Sequence, residues 1–283
     1  MTTATAPTVR VDAFGQTDIG RVRKINEDHF VIGALRKAVE LRQCSITDQQ
    51  VFNRYAGPEA LLLVVADGVG GQPGGAFASE TAITTLLEYL GEAAGCYHNL
   101  DVQREHEFLE QLESGVRRAH ERIVMEEGGK GGPATTLTLA MLVWPRAYLV
   151  HVGDSRAFYL RRGRLRQLTR DQNMAEFMVE SGVWTEEQAR RARTGELLVS
   201  AVGAAEMMPS LGLVDLQPDD VLLLCTDGLC KHVPDEQIAE ILGRTETAEA
   251  GCRDLVAAAL AGGGTDNVTV VVARVAAPPD LTG

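Results

Sequence analysis

Residues 61–82 read LLLVVADGVGGQPGGAFASETA: six apolar residues lead into Asp67, and five glycines then follow within eight residues. The apolar run predicts a buried strand that ends on an acid. The glycines predict a backbone that can approach a ligand closely. A nucleotide site, a metal site and a simple turn are all compatible with this pattern, so the rest of the chain must decide.

A phosphate-binding loop does not fit the stretch. Pro73 stands where the third glycine of a G-x-G-x-x-G motif belongs, and no G-K-[ST] sequence follows. An acid placed directly at such a loop would also repel phosphate unless a metal ion lay between them.

The composition limits the classes of protein to which the chain can belong. With 283 residues, 45% of them hydrophobic, the chain can bury the core of one large domain. Its net charge of −12 opposes binding to nucleic acid and to anionic membranes. The five cysteines are an odd number without zinc-finger spacing, which favours a reducing compartment over a disulfide framework. With neither a signal peptide nor an apolar run of ~20 residues, we expect a soluble cytoplasmic protein.

The order of the elements favours antiparallel sheets with helices beside them. Short connections join alternating apolar runs, as in the hairpin predicted around Gly163. A helix is predicted over 101–127 from one apolar stripe, formed by Phe108, Leu112, Val116, Ala119 and Ile123. Another helix is predicted to end at Gly95.

One domain is predicted, because neither a repeat nor a linker divides the chain. We expect a disordered lead at 1–8 and a single domain over 9–283, with an inserted segment at 36–58. Residues 173–199 form a helical excursion, in which Thr185 and Gln188 have the spacing of a capping box.

Aspartates recur at strand ends. Three end apolar runs and one precedes such a run: Asp67, Asp154, Asp227 and Asp266. Because the start of one antiparallel strand lies beside the end of its neighbour, we expect the four to share one sheet edge. Glu27 and Asp28 would add to this negative cluster.

An acidic cluster of this kind needs cations. Like charges a few ångströms apart raise each other's pKa, and the arginines nearest in sequence, Arg23 and Arg156, are too few to balance them. Hard divalent cations prefer oxygen ligands. We therefore predict a magnesium or manganese site with more than one ion. Any single aspartate before glycine is more often a turn residue or a helix cap, but the repetition of the pattern favours ligation.

Six ordered motifs resemble one family, the metal-dependent protein phosphatases of type 2C, bacterial branch, over roughly residues 9–275. The motifs are TDIGRVRKINED, ADGVGGQPGGAFAS, GPATT, VGDSRAFYLRRGRLRQLTRD, CTDGLC and GGGTDNVTVVV. The resemblance implies an α+β fold, a four-layer αββα sandwich of two antiparallel sheets flanked by helices. It also implies a monomer that hydrolyses phosphoserine and phosphothreonine in phosphoproteins and opposes a serine/threonine kinase.

The resemblance further implies a centre of two Mn²⁺ or Mg²⁺ ions that activates water for attack on phosphorus. Its metal set is Glu27, Asp28, Asp67, Gly68, Asp154, Asp227 and Asp266. By motif position, Asp67 is catalytic and bridges both ions, while Gly68 offers its carbonyl. Asp154 matches the aspartate linked to a third, weaker ion. Arg23 would grip the substrate phosphate, the alternative being a surface ion pair.

The sequence departs from the family pattern at three places: Val69 replaces a histidine of some relatives, Ala134 a glycine and Gln172 a histidine. Altered packing is the expected consequence, with water as the acid for the leaving group. His29 and His151 are interpreted as structural.

The arginines outside the acidic motifs have two interpretations. Those of the excursion, Arg190, Arg191 and Arg193, and those of the hairpin, at 161, 162, 164 and 166, fit either an acidic ligand or a solvated face.

Two alternatives to a protein phosphatase stay open: a phosphatase-like binding module without turnover, and a hydrolase of small phosphate esters. The complete acid set favours an enzyme over the binding module.

Overall fold

The computed structural model describes residues 9–35, 60–69, 73–92, 102–126, 132–192 and 194–276. These residues form eleven strands and seven helices. The predicted lead at 1–8, the insert at 36–58, the helix stop at Gly95 and Arg193 lie outside the described residues, and the assignment of 9–283 to a single domain stays a prediction. None of the described helices is long and apolar enough to cross a bilayer.

Two antiparallel sheets form the centre of the molecule. The first sheet has the strand order β1 (Val11–Asp18), β11 (Val268–Val275), β10 (Val221–Cys225), β7 (Arg156–Arg161) and β8 (Arg164–Gln167). The second has the order β2 (Asp28–Leu35), β3 (Ala60–Val69), β5 (Leu137–Val143), β6 (Arg146–Val152) and β9 (Ser210–Asp215). A short strand, β4 (Ala134–Thr135), pairs with the end of β3.

Helices cover the outer faces of both sheets. The second sheet packs against α1 (Pro73–Glu92) and α2 (Val102–Glu126). The first packs against α6 (Asp235–Arg244) and α7 (Ala248–Ala261). Three shorter helices complete the described part: α3 (Met174–Glu180), α4 (Glu186–Arg191) and α5 (Asp227–Cys230).

The alternation of side chains along the strands produces three core layers. On β3, Leu62 and Val64 pack with the helices, whereas Leu63 and Val65 pack between the sheets. Both faces of β5 are covered, so every residue of LTLAMLV is buried. The predicted stripe from Phe108 to Ile123 lies in the layer under α2. The prediction of a four-layer sandwich is confirmed.

The glycine-rich stretch differs from the expectation. Strand β3 continues through Asp67 to Val69, and α1 begins at Pro73, inside the stretch. A Cβ on Gly68 would lie 2.3 Å from the carbonyl oxygen of Gly75, and a Cβ on Gly75 would lie 2.4 Å from Glu27 Oε1. These two glycines therefore let β3, α1 and the Glu27 loop come together.

The hairpin and the excursion match their predictions. Gly163, with φ of +75°, turns β7 into β8. Thr185 and Gln188 form the capping box at the start of α4. The preceding helix is capped by Asn173, whose side chain accepts a hydrogen bond from the backbone N–H of Glu176.

Candidate metal centre

The predicted acids meet at one end of the sandwich, but they come from both sheets. The expectation of one shared sheet edge is wrong. Asp67 lies near the end of β3 in the second sheet, while Asp227 and Asp266 lie beside β10 and β11 of the first. Because the sheets are stacked, the strand ends of one layer face those of the other, which a pairing rule within one sheet does not anticipate.

Asp28 joins the two sheets at this end. It lies opposite Asp67 in the β2–β3 register. Its Oδ2 accepts hydrogen bonds of 2.8 Å from the hydroxyls of Thr226 and Thr269, which belong to the first sheet. The Asp28 side chain therefore lies in a fixed position between the sheets.

The backbone at Asp67 is held by the GPATT motif. Thr136 donates its N–H to the carbonyl of Asp67 at 2.9 Å and accepts the N–H of Asp67 on its hydroxyl at 3.0 Å. Thr135 donates its hydroxyl to the same carbonyl at 2.8 Å. Together these bonds fix the position from which the Asp67 carboxylate extends.

The electrostatics show that the cluster lacks positive charge. Burial, opposed by its two threonine hydrogen bonds, raises the pKa of Asp28 to about 7. Burial and the charge of Asp227 raise the pKa of Asp154 to about 7. Burial and the charge of Asp28 raise the pKa of Asp67 well above its ordinary value. Burial raises the pKa of Asp227 as well, although Lys231 opposes the shift.

Asp266 is the exception in this cluster. Burial acts to raise its pKa, but the hydrogen bond and charge of Lys231 and those of Arg23 outweigh burial and lower it. The Arg23 guanidinium binds Asp266 through two contacts, of 2.8 and 2.9 Å. The structure therefore brings the predicted phosphate-binding arginine to the cluster, as the ion-pair partner of a predicted ligand.

The buried oxygens fit a divalent metal. Three carboxylate oxygens lack a hydrogen-bond partner among the described residues: Glu27 Oε1, Asp28 Oδ1 and Asp227 Oδ1. A buried charged oxygen without a donor is costly, and hard cations such as Mn²⁺ and Mg²⁺ bind such oxygens.

The carboxylates are not already arranged as a closed cage. Within the described ranges, no three His, Cys, Asp or Glu side chains are placed to hold one ion. Two of the acids contact an internal cation instead: Lys231 Nζ lies 2.6 Å from Asp227 Oδ2 and 2.9 Å from Asp266 Oδ2.

Several residues of the centre were not identified from the sequence. Asn267 accepts the N–H of Glu27 on Oδ1 and donates to the carbonyls of Ile19 and Ile25, all at 3.0 Å. It thereby holds the loop that carries Arg23. The TDN motif places Asn267 directly after Asp266, a signal that could have found it. Lys231, Thr226 and Thr269 had no comparable signal.

The two histidines have structural contacts. His29 Nδ1 lies 2.9 Å from the Ser79 hydroxyl. His151 lies 2.9 Å from the Thr138 hydroxyl and 3.0 Å from the carbonyl of Arg170, and burial lowers its pKa to about 4. These contacts support the structural interpretation.

Of the three departures from the family pattern, Gln172 has hydrogen bonds that give it a role in packing. Gln172 accepts the N–H of Gly153 and donates to the carbonyl of Met208, both within 3.0 Å. It joins the loop before Asp154 to the chain beyond the excursion. Ala134 is buried in β4, and Val69 is partly exposed at the centre.

One arginine of the excursion and one of the hairpin form ion pairs with acids of the chain. Arg191 lies 2.6 Å from Glu187, one helical turn earlier. Arg161 lies 2.7 Å from Asp220. The exposed pair of Arg191 favours the solvated-face interpretation, whereas Arg161 pairs with the buried Asp220 and fits neither interpretation.

The sequence matches the protein phosphatase 2C family over residues 48–261. The chain is 38% identical over 224 residues to the serine/threonine protein phosphatase PstP of Mycobacterium tuberculosis, covering 78% of this chain but 41% of that relative. It is 29% identical over 261 residues to the serine/threonine phosphatase stp of Listeria monocytogenes, covering 91% and 93% of the two chains.

A solved structure has the same fold. It is a crystal structure of the PstP catalytic domain in complex with 2 manganese ions, with a TM-score of 0.73 and 33% sequence identity, covering 95% of this chain and 100% of that one. The fold, the ordered motifs and the family match agree, and the prediction from sequence is confirmed: the chain belongs to the protein phosphatase 2C family.

Proposed function

We propose that this chain is a metal-dependent phosphatase that hydrolyses phosphoserine and phosphothreonine in phosphoproteins. One observation carries the proposal: buried carboxylates from both sheets meet at one end of the sandwich and keep oxygens that have no hydrogen-bond partner among the described residues. The names of the relatives and the two manganese ions of the PstP structure support the same activity and cofactor.

The residues that would hold the ions are Glu27, Asp28, Asp67, Gly68, Asp154, Asp227 and Asp266. When bound, two divalent ions lower the pKa of water and neutralise the phosphate oxygens, so that hydroxide is available near neutral pH. The chain holds two of these ligands by hydrogen bonds from threonines. Thr135 and Thr136 hold the backbone of Asp67, and the hydroxyls of Thr226 and Thr269 hold the Asp28 carboxylate.

Arg23 would bind the phosphate dianion. Its side chain is 44% exposed at the edge of the centre, and its planar fork of donors matches two phosphate oxygens. Substrate would compete with Asp266 for these donors. Val69 has no proton to give, so the leaving alcohol would take its proton from water in the open site.

The proposal also covers the source of the substrate, the oligomeric state and the location of the protein. A serine/threonine kinase of the same cell would supply the phosphoprotein substrates, and we propose that the protein acts as a monomer in the cytoplasm. Gln172, the residue before the excursion at 173–199, accepts a hydrogen bond from the N–H of Gly153, next to Asp154. This contact supports a role for the excursion near the substrate.

Turnover of a chromogenic aryl phosphate tests the activity. We expect hydrolysis that requires added Mn²⁺ or Mg²⁺ and that stops in chelator. Asp67→Asn should lose this activity, whereas the matched control Asp219→Asn, at the other end of β10, should retain it. Full activity in chelator would overturn the proposal.

The choice of substrate needs a second assay. A phosphothreonine peptide and an aryl phosphate are compared by kcat/KM at equal metal concentration. Preference for the peptide supports a protein phosphatase, preference for the small ester indicates a small-ester hydrolase, and binding without turnover indicates a binding module.

A further inference from the structure

We propose that Cys225 and Cys230 are an oxidation site, at which hydrogen peroxide joins the two thiols in a disulfide and thereby weakens the metal centre. The oxidation itself is independent of the proposed function, whereas its effect on metal binding rests on that function. Neither cysteine belongs to the predicted ligand set, although both lie in the CTDGLC motif that supplies Asp227.

The two thiols are in contact. Cys225 Sγ lies 3.7 Å from Cys230 Sγ. Cys225 is the last residue of β10 and Cys230 is the last residue of α5, so the turn from strand to helix brings them together. Thiols in contact can be bridged with little movement of the backbone. Cys252, the other cysteine in the described part of the chain, instead donates its thiol to the carbonyl of Phe14 at 3.2 Å.

Cys230 is the thiol of this pair that peroxide reaches. It is partly exposed, whereas Cys225 is 0% exposed. Susceptibility of a cysteine to oxidation increases with its exposure. Peroxide therefore oxidises Cys230 first, and Cys225 reacts with the product.

The reaction takes two steps. In the first, the Cys230 sulfur takes one oxygen of H₂O₂ as the O–O bond breaks, which gives a sulfenic acid and one water. In the second, the Cys225 sulfur attacks the Cys230 sulfur, so that the S–S bond forms and the S–O bond breaks, and hydroxide leaves with the Cys225 proton as a second water. The two thiols lose two electrons, and these reduce one peroxide to two waters.

The disulfide acts on the centre through α5. Cys225 is held in place, because β10 pairs with β11 on one side and with β7 on the other. The short helix therefore moves when the two sulfurs approach each other. The loop that the disulfide closes contains Asp227, a predicted ligand, and Thr226, whose hydroxyl holds Asp28.

The helix has little room for such a movement. A Cβ on Gly228 would collide with the carbonyl oxygen of Asn267, so the backbone of α5 lies against the residue that follows Asp266. A displacement of α5 therefore reaches Asp266 as well as Asp227. Because groups that orient metal ligands typically contribute about 10- to 100-fold to metal affinity, we expect the disulfide to weaken Mn²⁺ binding by about tenfold or more.

Mass spectrometry of the metal-free wild type after treatment with H₂O₂ tests the oxidation. Both cysteines lie in one tryptic peptide, residues 194–231, because neither Lys nor Arg occurs between its ends. We expect this peptide to lose two hydrogen atoms and to resist alkylation until dithiothreitol is added. Cys252 lies in a different tryptic peptide and is the internal control, which should stay reduced.

Isothermal titration with Mn²⁺, after removal of the peroxide, tests the effect on the centre. We expect the oxidised wild type to bind Mn²⁺ about tenfold more weakly than the reduced protein, and prior reduction with dithiothreitol to restore binding. Cys230→Ser lacks the site and should bind Mn²⁺ equally with and without the treatment. Cys252→Ser is the matched control and should respond as the wild type does.

Three results would overturn the inference: no disulfide within the peptide 194–231, unchanged Mn²⁺ binding once that disulfide has formed, or an equal loss of binding in Cys230→Ser. All three leave the proposed function intact, because the reduced protein still binds Mn²⁺. If the reduced wild type bound no Mn²⁺, the proposed function would fail together with the effect on the centre, so the two failures are distinguishable.

Discussion

A buried aspartate lies beside each end of strand β10, and the two aspartates differ in their hydrogen-bond partners. At one end, Asp220 is 1% exposed and accepts bonds from Arg161 at 2.8 and 2.7 Å and from the N–H of Gln217 at 2.7 Å. At the other end, beside Thr226, Asp28 is 4% exposed, and its Oδ1 has no hydrogen-bond partner in the described part of the chain. Two equally buried aspartates therefore have different roles. Asp220, with all its partners in the chain, stabilises the fold, whereas Asp28 and the acids around it are available for a ligand.

The largest expected effect is on activity at the under-paired end. Asp67→Asn should lower kcat/KM for a phosphothreonine peptide by a factor on the order of 10³, because about 4 kcal/mol of charge stabilisation depends on this acid. Its metal-free thermal midpoint should rise, since the substitution removes repulsion among Asp28, Asp67 and Asp227. Activity within tenfold of the wild type would contradict the contrast between the two ends.

At the paired end the expected effect is on stability. Asp220→Asn leaves the Arg161 charge without its partner, which should lower the free energy of unfolding by about 3 kcal/mol. Urea denaturation measures this change, with kcat/KM per folded molecule retained. If the variant were as stable as the wild type, the assignment of a structural role to this pair would fail.

The dependence of stability on pH should separate the metal-free and metal-bound proteins. The pKa values of Asp28 and Asp154 are raised to about 7, whereas an unfolded aspartate titrates near 3.9. Between these values the folded chain binds more protons than the unfolded chain, so the free energy of unfolding falls as pH rises from about 4 to about 7.

We therefore expect metal-free protein to melt at a lower temperature at pH 8 than at pH 5.5, and Mn²⁺ to restore the midpoint at pH 8. Asp28→Asn should reduce the metal-free dependence, because it removes one of the aspartates whose pKa is raised. A metal-free midpoint that increases over this range would contradict the cited shifts.

The smallest expected effect concerns Arg23. Arg23→Lys keeps the charge but loses the planar fork, so KM for phosphopeptide should rise about tenfold with a smaller change in kcat. Arg21→Lys, in the same loop, is the matched control. Equal KM values for the two variants would show that Arg23 is an ion-pair partner of Asp266 and not a phosphate ligand.

Much of the fold could be predicted because it depends on local patterns. Alternation along β3 and the stripe from Phe108 to Ile123 follow directly from side-chain periodicity. The meeting of the acids could also be predicted, because motifs mark each of them. Their distribution over two sheets could not, since stacking of sheets leaves no signal in the spacing of residues.

The supporting residues were harder to find for a related reason. Thr226 and Thr269 matter because of a bond to Asp28, about 200 residues away or more in the sequence. In the sequence, Lys231 has the features of an ordinary surface residue. Only the fold of α5 brings its side chain to Asp227. Contacts of this kind depend on the assembled fold and not on any local pattern.

The side chain of Asn267 has a consequence for how the protein can change. Its carboxamide fastens the segment from Ile19 to Glu27 at three backbone positions, so the fastening depends on main-chain atoms only. Exposed side chains of that segment, such as Val22, are not needed to hold it in place. Exposed positions of the segment can therefore vary without detaching it, while Arg23 and Glu27 keep their places at the centre.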